Sequence, residues 1–128
     1  MGNENTLFMD TIEKIELLKF RTKQMSLRVI RLYQNLPKNG ASQVIGKQLL
    51  RCATSVAANY RAVARARSDA EKFSKISIVV EEADETLFWL ELLTDAGIVP
   101  TTRLSDLYKE CEEILKILSS ARKNMKSK

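Results

Sequence analysis

Two sets of residues in this chain could do chemistry: the carboxylates crowded into Glu81-Glu82-Ala83-Asp84-Glu85, and the cysteines Cys52 and Cys111. A carboxylate cluster on a helix invites a metal, because di-iron bundles gather such groups from several helices. Those centres also draw on Glu-x-x-His ligands, and the chain contains no histidine. The first helical segment offers no matching inward carboxylates either, so neither metal nor cofactor is expected. The missing histidine also removes the commonest general base. Cys52 and Ser55 lack that base, a Gly-rich oxyanion turn and a nucleophile elbow, which argues against acyl transfer. No Gly-rich loop is present to cradle a phosphate. Both cysteines fall at apolar helix positions and read as reduced core residues. A protein that works by assembly and binding, without a catalytic site, is the expectation.

The cations point to what it binds. The chain carries a net charge of +5 and a pI near 9.3, and the excess is local. Between positions 47 and 75 stand Lys47, Arg51, Arg61, Arg65, Arg67, Lys72 and Lys75 against only Asp69 and Glu71. Lys47, Arg51, Arg61 and Arg65 repeat at helical spacing and project from one side of their helix toward a corner at Arg67. Such a stripe can neutralise phosphates and release their counterions, giving salt-dependent, sequence-tolerant binding. The candidate contacts to RNA or DNA are Arg61, Arg65, Arg67, Lys72 and Lys75. The competing reading is an ion-paired or solvated face. The next helix must fold back as a hairpin, which sets Arg51 near Glu81 or Glu85.

Four segments carry apolar residues alternately three and four apart, each giving one stripe of an amphipathic helix. The first stripe is Ile15, Leu18, Thr22, Met25, Val29, Leu32 and Leu36; the second is Ile45, Leu49, Cys52, Val56, Asn59 and Val63. The third runs Phe73, Ile76, Val80, Ala83, Leu87 and Leu90, and the fourth Leu104, Leu107, Cys111, Ile114, Leu118, Ala121 and Met125. Leu36-Pro37-Lys38-Asn39-Gly40 breaks the first helix, with Ser42 as cap for the second. Ser68 or Asp69 caps the third; Gly97 ends it, and Pro100-Thr101-Thr102 supplies the stop and next cap. The reading is a single all-α domain, an antiparallel up-down-up-down four-helix bundle with helices over about 9–36, 43–66, 69–96 and 102–124. The tail from Lys123 to Lys128 is expected to fray.

A second apolar group in the third helix, Ile78, Val79, Phe88, Trp89, Leu92 and Leu93, lies outside that seam. Apolar surface over most of a helix needs cover on more than one side. Phe88, Trp89, Leu92 and Leu93 are therefore expected to form a homo-oligomer interface, unless the chain covers them itself. The second helix is rich in small residues from Ala53 to Ala66, which permit close helix approach. Asn59, polar within its seam, is expected to find hydrogen-bond partners and fix register or geometry.

A length of 128 residues with 4 Gly and 2 Pro suits one helical domain. No run approaches the ~20 apolar residues of a bilayer span, and Met1 to Thr6 lack the basic start of a signal peptide. A cytoplasmic location with no membrane partner follows as an expectation.

The segments Gln48-Leu49-Leu50-Arg51-Cys52-Ala53-Thr54-Ser55-Val56-Ala57-Ala58-Asn59-Tyr60-Arg61 and Glu81-Glu82-Ala83-Asp84-Glu85-Thr86-Leu87-Phe88-Trp89-Leu90-Glu91-Leu92-Leu93 closely resemble the bacterial four helix bundle proteins, or 23S rRNA intervening sequence (S23) family. The linker Arg65-Ala66-Arg67-Ser68-Asp69-Ala70-Glu71-Lys72-Phe73 fits as well, and the resemblance runs from about Leu17 to Leu118. It implies an antiparallel bundle assembling into a ring-like homopentamer, with no catalytic residues to carry over. It also implies kinship with accessory proteins of diversity-generating retroelements, which bind nucleic acid and a reverse transcriptase through basic surfaces. One departure stands out: many members continue into Ile-Ala-Glu-Gly where this chain has Tyr60-Arg61-Ala62-Val63, so any role of that Glu is absent here. A protein-interaction scaffold is the alternative function.

Overall fold

The structure is a computed structural model and describes residues 10–125. Four helices make up nearly all of it: α1 (Thr11–Gln34), α2 (Gly40–Ala64), α3 (Asp69–Asp95) and α4 (Thr101–Asn124). No strand occurs among the described residues. Each helix packs on the next, and α4 closes back on α1. Short connections make neighbours antiparallel, so the four stand at the corners of a square, with α1 diagonal to α3. The α2–α3 pairing is the most extensive and α1–α4 the least. The expectations for Met1 to Thr6 and for the last three residues lie outside the described residues.

The chain's own polar groups set the helix starts. Asp10 Oδ1 accepts the Glu13 N–H at 2.7 Å while Glu13 Oε1 accepts the Asp10 N–H, a reciprocal cap. Helix α2 begins earlier than expected, because Asn39 and not Ser42 caps it; Asn39 Oδ1 accepts the Ser42 N–H at 2.9 Å. Ser42 instead lies buried in the first turn. Ser68 caps α3 by accepting the Glu71 N–H. Gly97 takes φ +72°, the left-handed conformation that ends α3. Helix α4 departs from expectation: Pro100 occupies its cap position and no side chain caps it, with Thr101 and Thr102 already helical.

The core follows the stripes with two shifts. In α2 the seam runs Val56, Tyr60, Val63, with Tyr60 buried and Asn59 at its half-buried edge. In α3 it runs Ile76, Val79, Ala83, Thr86, Leu87, Leu90 and Leu93, so Val79 replaces Val80. Both shifts arise because an α-helix advances 3.6 residues per turn and drifts from a strict heptad over 25 residues. Thr22 and Thr86 enter the interior at little cost, since their hydroxyls bond carbonyls of the preceding turn, Lys19 O and Glu82 O.

The small residues bring α1 and α2 together. Ala53 is fully buried, and Ser26 Oγ on α1 sits 3.0 Å from its carbonyl oxygen. At Gly46 a β-carbon would stand 2.6 Å from Leu36 Cδ1 and 2.8 Å from Tyr33 Cδ1. Across the least extensive pairing, Arg21 of α1 holds Glu110 by two hydrogen bonds (3.0 and 2.7 Å) and Glu113 at 2.7 Å. That guanidinium keeps the Glu110 carboxyl below its ordinary pKa, against an opposing effect of burial.

Candidate nucleic-acid interface

The α2–α3 hairpin carries nearly all the chemistry anticipated from the sequence, and it divides into two halves. Toward its middle, Arg51 Nη1 meets Glu82 Oε2 at 3.3 Å and Arg51 Nη2 lies 3.6 Å from Glu85 Oε1. The hairpin thus brings Arg51 to Glu85, as expected, and adds Glu82 in place of the other expected neighbour, Glu81. Beneath this pair, Cys52 is fully buried, and burial pushes its thiol up to about 11. Cys52 Sγ and the Glu82 and Glu85 carboxylates lie within 4.8 Å of one another. The thiol is protonated at neutral pH and the carboxylates already face a guanidinium, so the grouping has the chemistry of an ion pair over a core residue. Cys111 is likewise buried, its thiol raised to about 12 by desolvation.

Toward the corner the cations lose their partners. Arg61, Arg65 and Arg67 are exposed, while Lys72 and Lys75 are half-buried along their stems. None of the five takes part in an ion pair among the described residues. One nearby carboxylate is turned to backbone: Glu71 Oε1 accepts the Arg67 N–H at 2.9 Å, while the Ser68 hydroxyl accepts the Glu71 N–H and Asp69 is exposed. Corner formation therefore orients one carboxylate toward backbone and away from an arginine side chain, while its negative charge stays at the corner.

The fold adds cations that the sequence reading did not single out. The beginnings of α1 and α3 and the ends of α2 and α4 meet at this same end of the bundle. Lys14 and Lys72 line one opening there, a cavity of ≈ 310 Å³ floored by Leu18, Val63 and Ile76. Arg122, near the end of α4, donates to Ser77 Oγ at 2.8 Å and lies 4.9 Å from the centre of the Phe73 ring. The sequence signal for Arg122 was its place in the last turn of the fourth helix, opposite the start of the third. The end is not purely basic, since Asp10, Glu13 and Asp69 are exposed there too, but the first two are committed to the α1 cap.

The remaining named residues separate. Phe88 is 52% exposed and packs edge-on against Trp89, ring centres 4.9 Å apart. Trp89 and Leu92 are half-buried, and Trp89 Nε1 is buried without a hydrogen-bond partner. Leu93 corrects the expectation: it is wholly buried in the chain's own core, because the α3 seam extends through Leu90 to Leu93. Among the described residues Asn59 bonds within its own helix and not to a neighbouring one. Its Nδ2 donates to Ser55 O and Ser55 Oγ, one turn back in α2, at 3.0 and 2.9 Å.

The model of the 23S rRNA-intervening sequence protein family matches residues 17–120, almost the whole bundle. The chain belongs to that family. Among solved structures it is similar to a protein of unknown function from the S23 ribosomal protein family of Bacteroides thetaiotaomicron. The two are 32% identical over 87% of this chain and 99% of that one, with a TM-score of 0.80. No functionally curated protein matches the sequence. Membership accounts for the four-helix fold, and the Arg61 to Lys75 corner lies inside the matched region. No helix among the described residues is long and apolar enough to cross a membrane.

Proposed function

We propose that the chain is a cytoplasmic, non-catalytic, self-associating bundle that binds RNA or DNA through its basic end. The observation that carries this reading is the contrast within one hairpin: Arg51 has carboxylate partners, whereas Arg61, Arg65, Arg67, Lys72 and Lys75 have none among the described residues. Cations left unpaired at one end of the bundle suit phosphates, which accept several of them without demanding a base sequence. The family's description, which ties its members to 23S rRNA, supports the same class of ligand.

Fluorescence anisotropy with labelled RNA and DNA oligonucleotides tests the reading. Binding should appear at low salt, weaken linearly on a logarithmic salt scale, and fall about tenfold or more for Arg65→Glu/Arg67→Glu. No binding at low salt, or binding indifferent to that double substitution, defeats it. The second reading, a scaffold for a protein partner, rests on the exposed Phe88 ridge; a partner retained after nuclease treatment would favour it. Unchanged behaviour of Glu82→Gln would weigh against any carboxylate-based catalysis.

A further inference from the structure

Two helices carry a second seam that the bundle itself does not use. On α1, Ile12, Glu16, Phe20, Lys23 and Leu27 succeed one another at spacings of four, four, three and four; on α3, Ile78, Glu81, Glu85, Phe88 and Leu92 do so at three, four, three and four. This spacing aligns side chains along one face of a helix. Both faces look outward. Ile12 is 73% and Phe20 60% exposed, with Leu27 also exposed; Phe88 and Ile78 are exposed on α3, and Leu92 is half-buried.

The two seams differ in charge and shape. Beside the α1 seam a cleft of ≈ 540 Å³ runs between α1 and α2, with Phe20 at its edge and Thr54, Ala57 and Ala58 of α2 as a shallow floor. Lys19, Lys23 and Arg61 border it, against Glu16, which pairs with Lys19 at 3.2 Å. Lys23 and Arg61 are left without an ion pair among the described residues. The α3 seam is a ridge edged by Glu81, Asp84, Glu85 and Glu91, with no basic residue between positions 81 and 95. Of these, Glu85 faces Arg51 and Glu91 accepts from Tyr108, leaving Glu81 and Asp84 without such partners among the described residues. Because α1 and α3 occupy opposite corners, the groove and the ridge of one chain cannot meet each other.

We infer that they meet between copies: the α3 ridge of one subunit seats in the α1/α2 groove of another, Phe88 against the small-residue floor, Glu81 and Asp84 toward Lys23 and Arg61. This rests on the self-association proposed above and assigns its faces. A contact of groove to ridge is heterologous, so every subunit both gives and receives. The isologous alternatives set like charges together, acidic ridge on acidic ridge or basic groove on basic groove. The assignment moves Arg61 from the phosphate-contacting set into the joint and leaves Arg65, Arg67, Lys72 and Lys75 at the end of the bundle to meet nucleic acid.

Light scattering on the full-length chain, with circular dichroism to confirm helix content, decides it. Wild-type protein should be oligomeric, Phe20→Ala and Phe88→Ala should each lower its mass, and Lys23→Glu/Arg61→Glu and Glu81→Lys/Asp84→Lys should each be smaller when alone. Mixing the two charge-reversed proteins should bring them together into species heavier than either alone, since each supplies the complement of the other; in a five-membered ring four joints would be matched. A folded wild-type monomer at high concentration overturns both this inference and the self-association behind it. An oligomer that survives all four variants, or folded reversed proteins that stay apart on mixing, overturns the face assignment and leaves self-association standing.

Discussion

The two halves of the α2–α3 hairpin start from similar residues and end in different chemistry. In the middle, Arg51 lies across from Glu82 and Glu85 at 3.3 and 3.6 Å, over a sealed core of Leu49, Cys52 and Val56. At the corner, Arg65 and Arg67 sit beside Asp69 and Glu71, yet Glu71 is spent on the Arg67 N–H and the start of α3. Opposite charges that are close in sequence do not pair when one of them is needed by the backbone. Charges 31 residues apart pair readily when two antiparallel helices bring them level. The lesson is that a charge run becomes a binding surface only where the fold diverts its neutralising partners.

The comparison can be broken most forcefully from below. Leu49→Ala removes a fully buried side chain under the paired half and should cost about 2–5 kcal/mol in denaturant unfolding. Nucleic-acid affinity of the protein that remains folded should not change. Arg65→Glu/Arg67→Glu should do the converse, lowering affinity about tenfold or more, equivalent to about 1.4 kcal/mol per tenfold, with little change in Tm. Ser68→Ala sharpens the corner's dependence on its cap. Loss of the Ser68 to Glu71 hydrogen bond should cost about 1 kcal/mol, read as a lower Tm. Arg51→Gln should matter least, under about 1 kcal/mol and without effect on affinity, because the pair it breaks is largely exposed on the arginine side.

A further test lies outside the hairpin, on pH. Arg21 holds the Glu110 carboxyl below its ordinary value, so the folded state favours the charged form more than the unfolded chain does. The stabilisation is complete above the unfolded carboxyl pKa of about 4.3 and is lost as pH falls through the lower folded value. Arg21→Gln should flatten that acid limb in Tm measured against pH, while leaving the slope near neutrality unaltered.

Much of this was legible in the sequence. Four stripes, the Pro37 to Gly40 break and Gly97 locate the helices to within a few residues, because helix period and turn residues are local properties. Asn39 and Ser42 offer equally good local cap patterns, and only the burial of Ser42 in the folded bundle separates them. The face of Leu93 is not legible in the sequence, because α3 is apolar around much of its circumference and periodicity alone does not say which face turns inward. Asn59 was set in the seam for a related reason: it neighbours Tyr60, and a shift of one residue decides which is buried. Among candidate contacts, Arg61, Arg65 and Arg67 were visible as a stripe. Lys14 and Arg122 join the same end only when four helix termini converge, which no single segment records.

The entry to α4 has a consequence of its own. Pro100 offers no side-chain cap, and α4 lies on α1 along the least extensive of the four pairings. Three other helices have first-turn amides tied to Asp10, Asn39 and Ser68. Backbone amides at 101 and 102 should therefore exchange with deuterium first among the helix starts, well before those of α2 and α3. Unzipping of the folded chain would then begin where the fourth rod meets its loop, at the end of the molecule far from the basic corner.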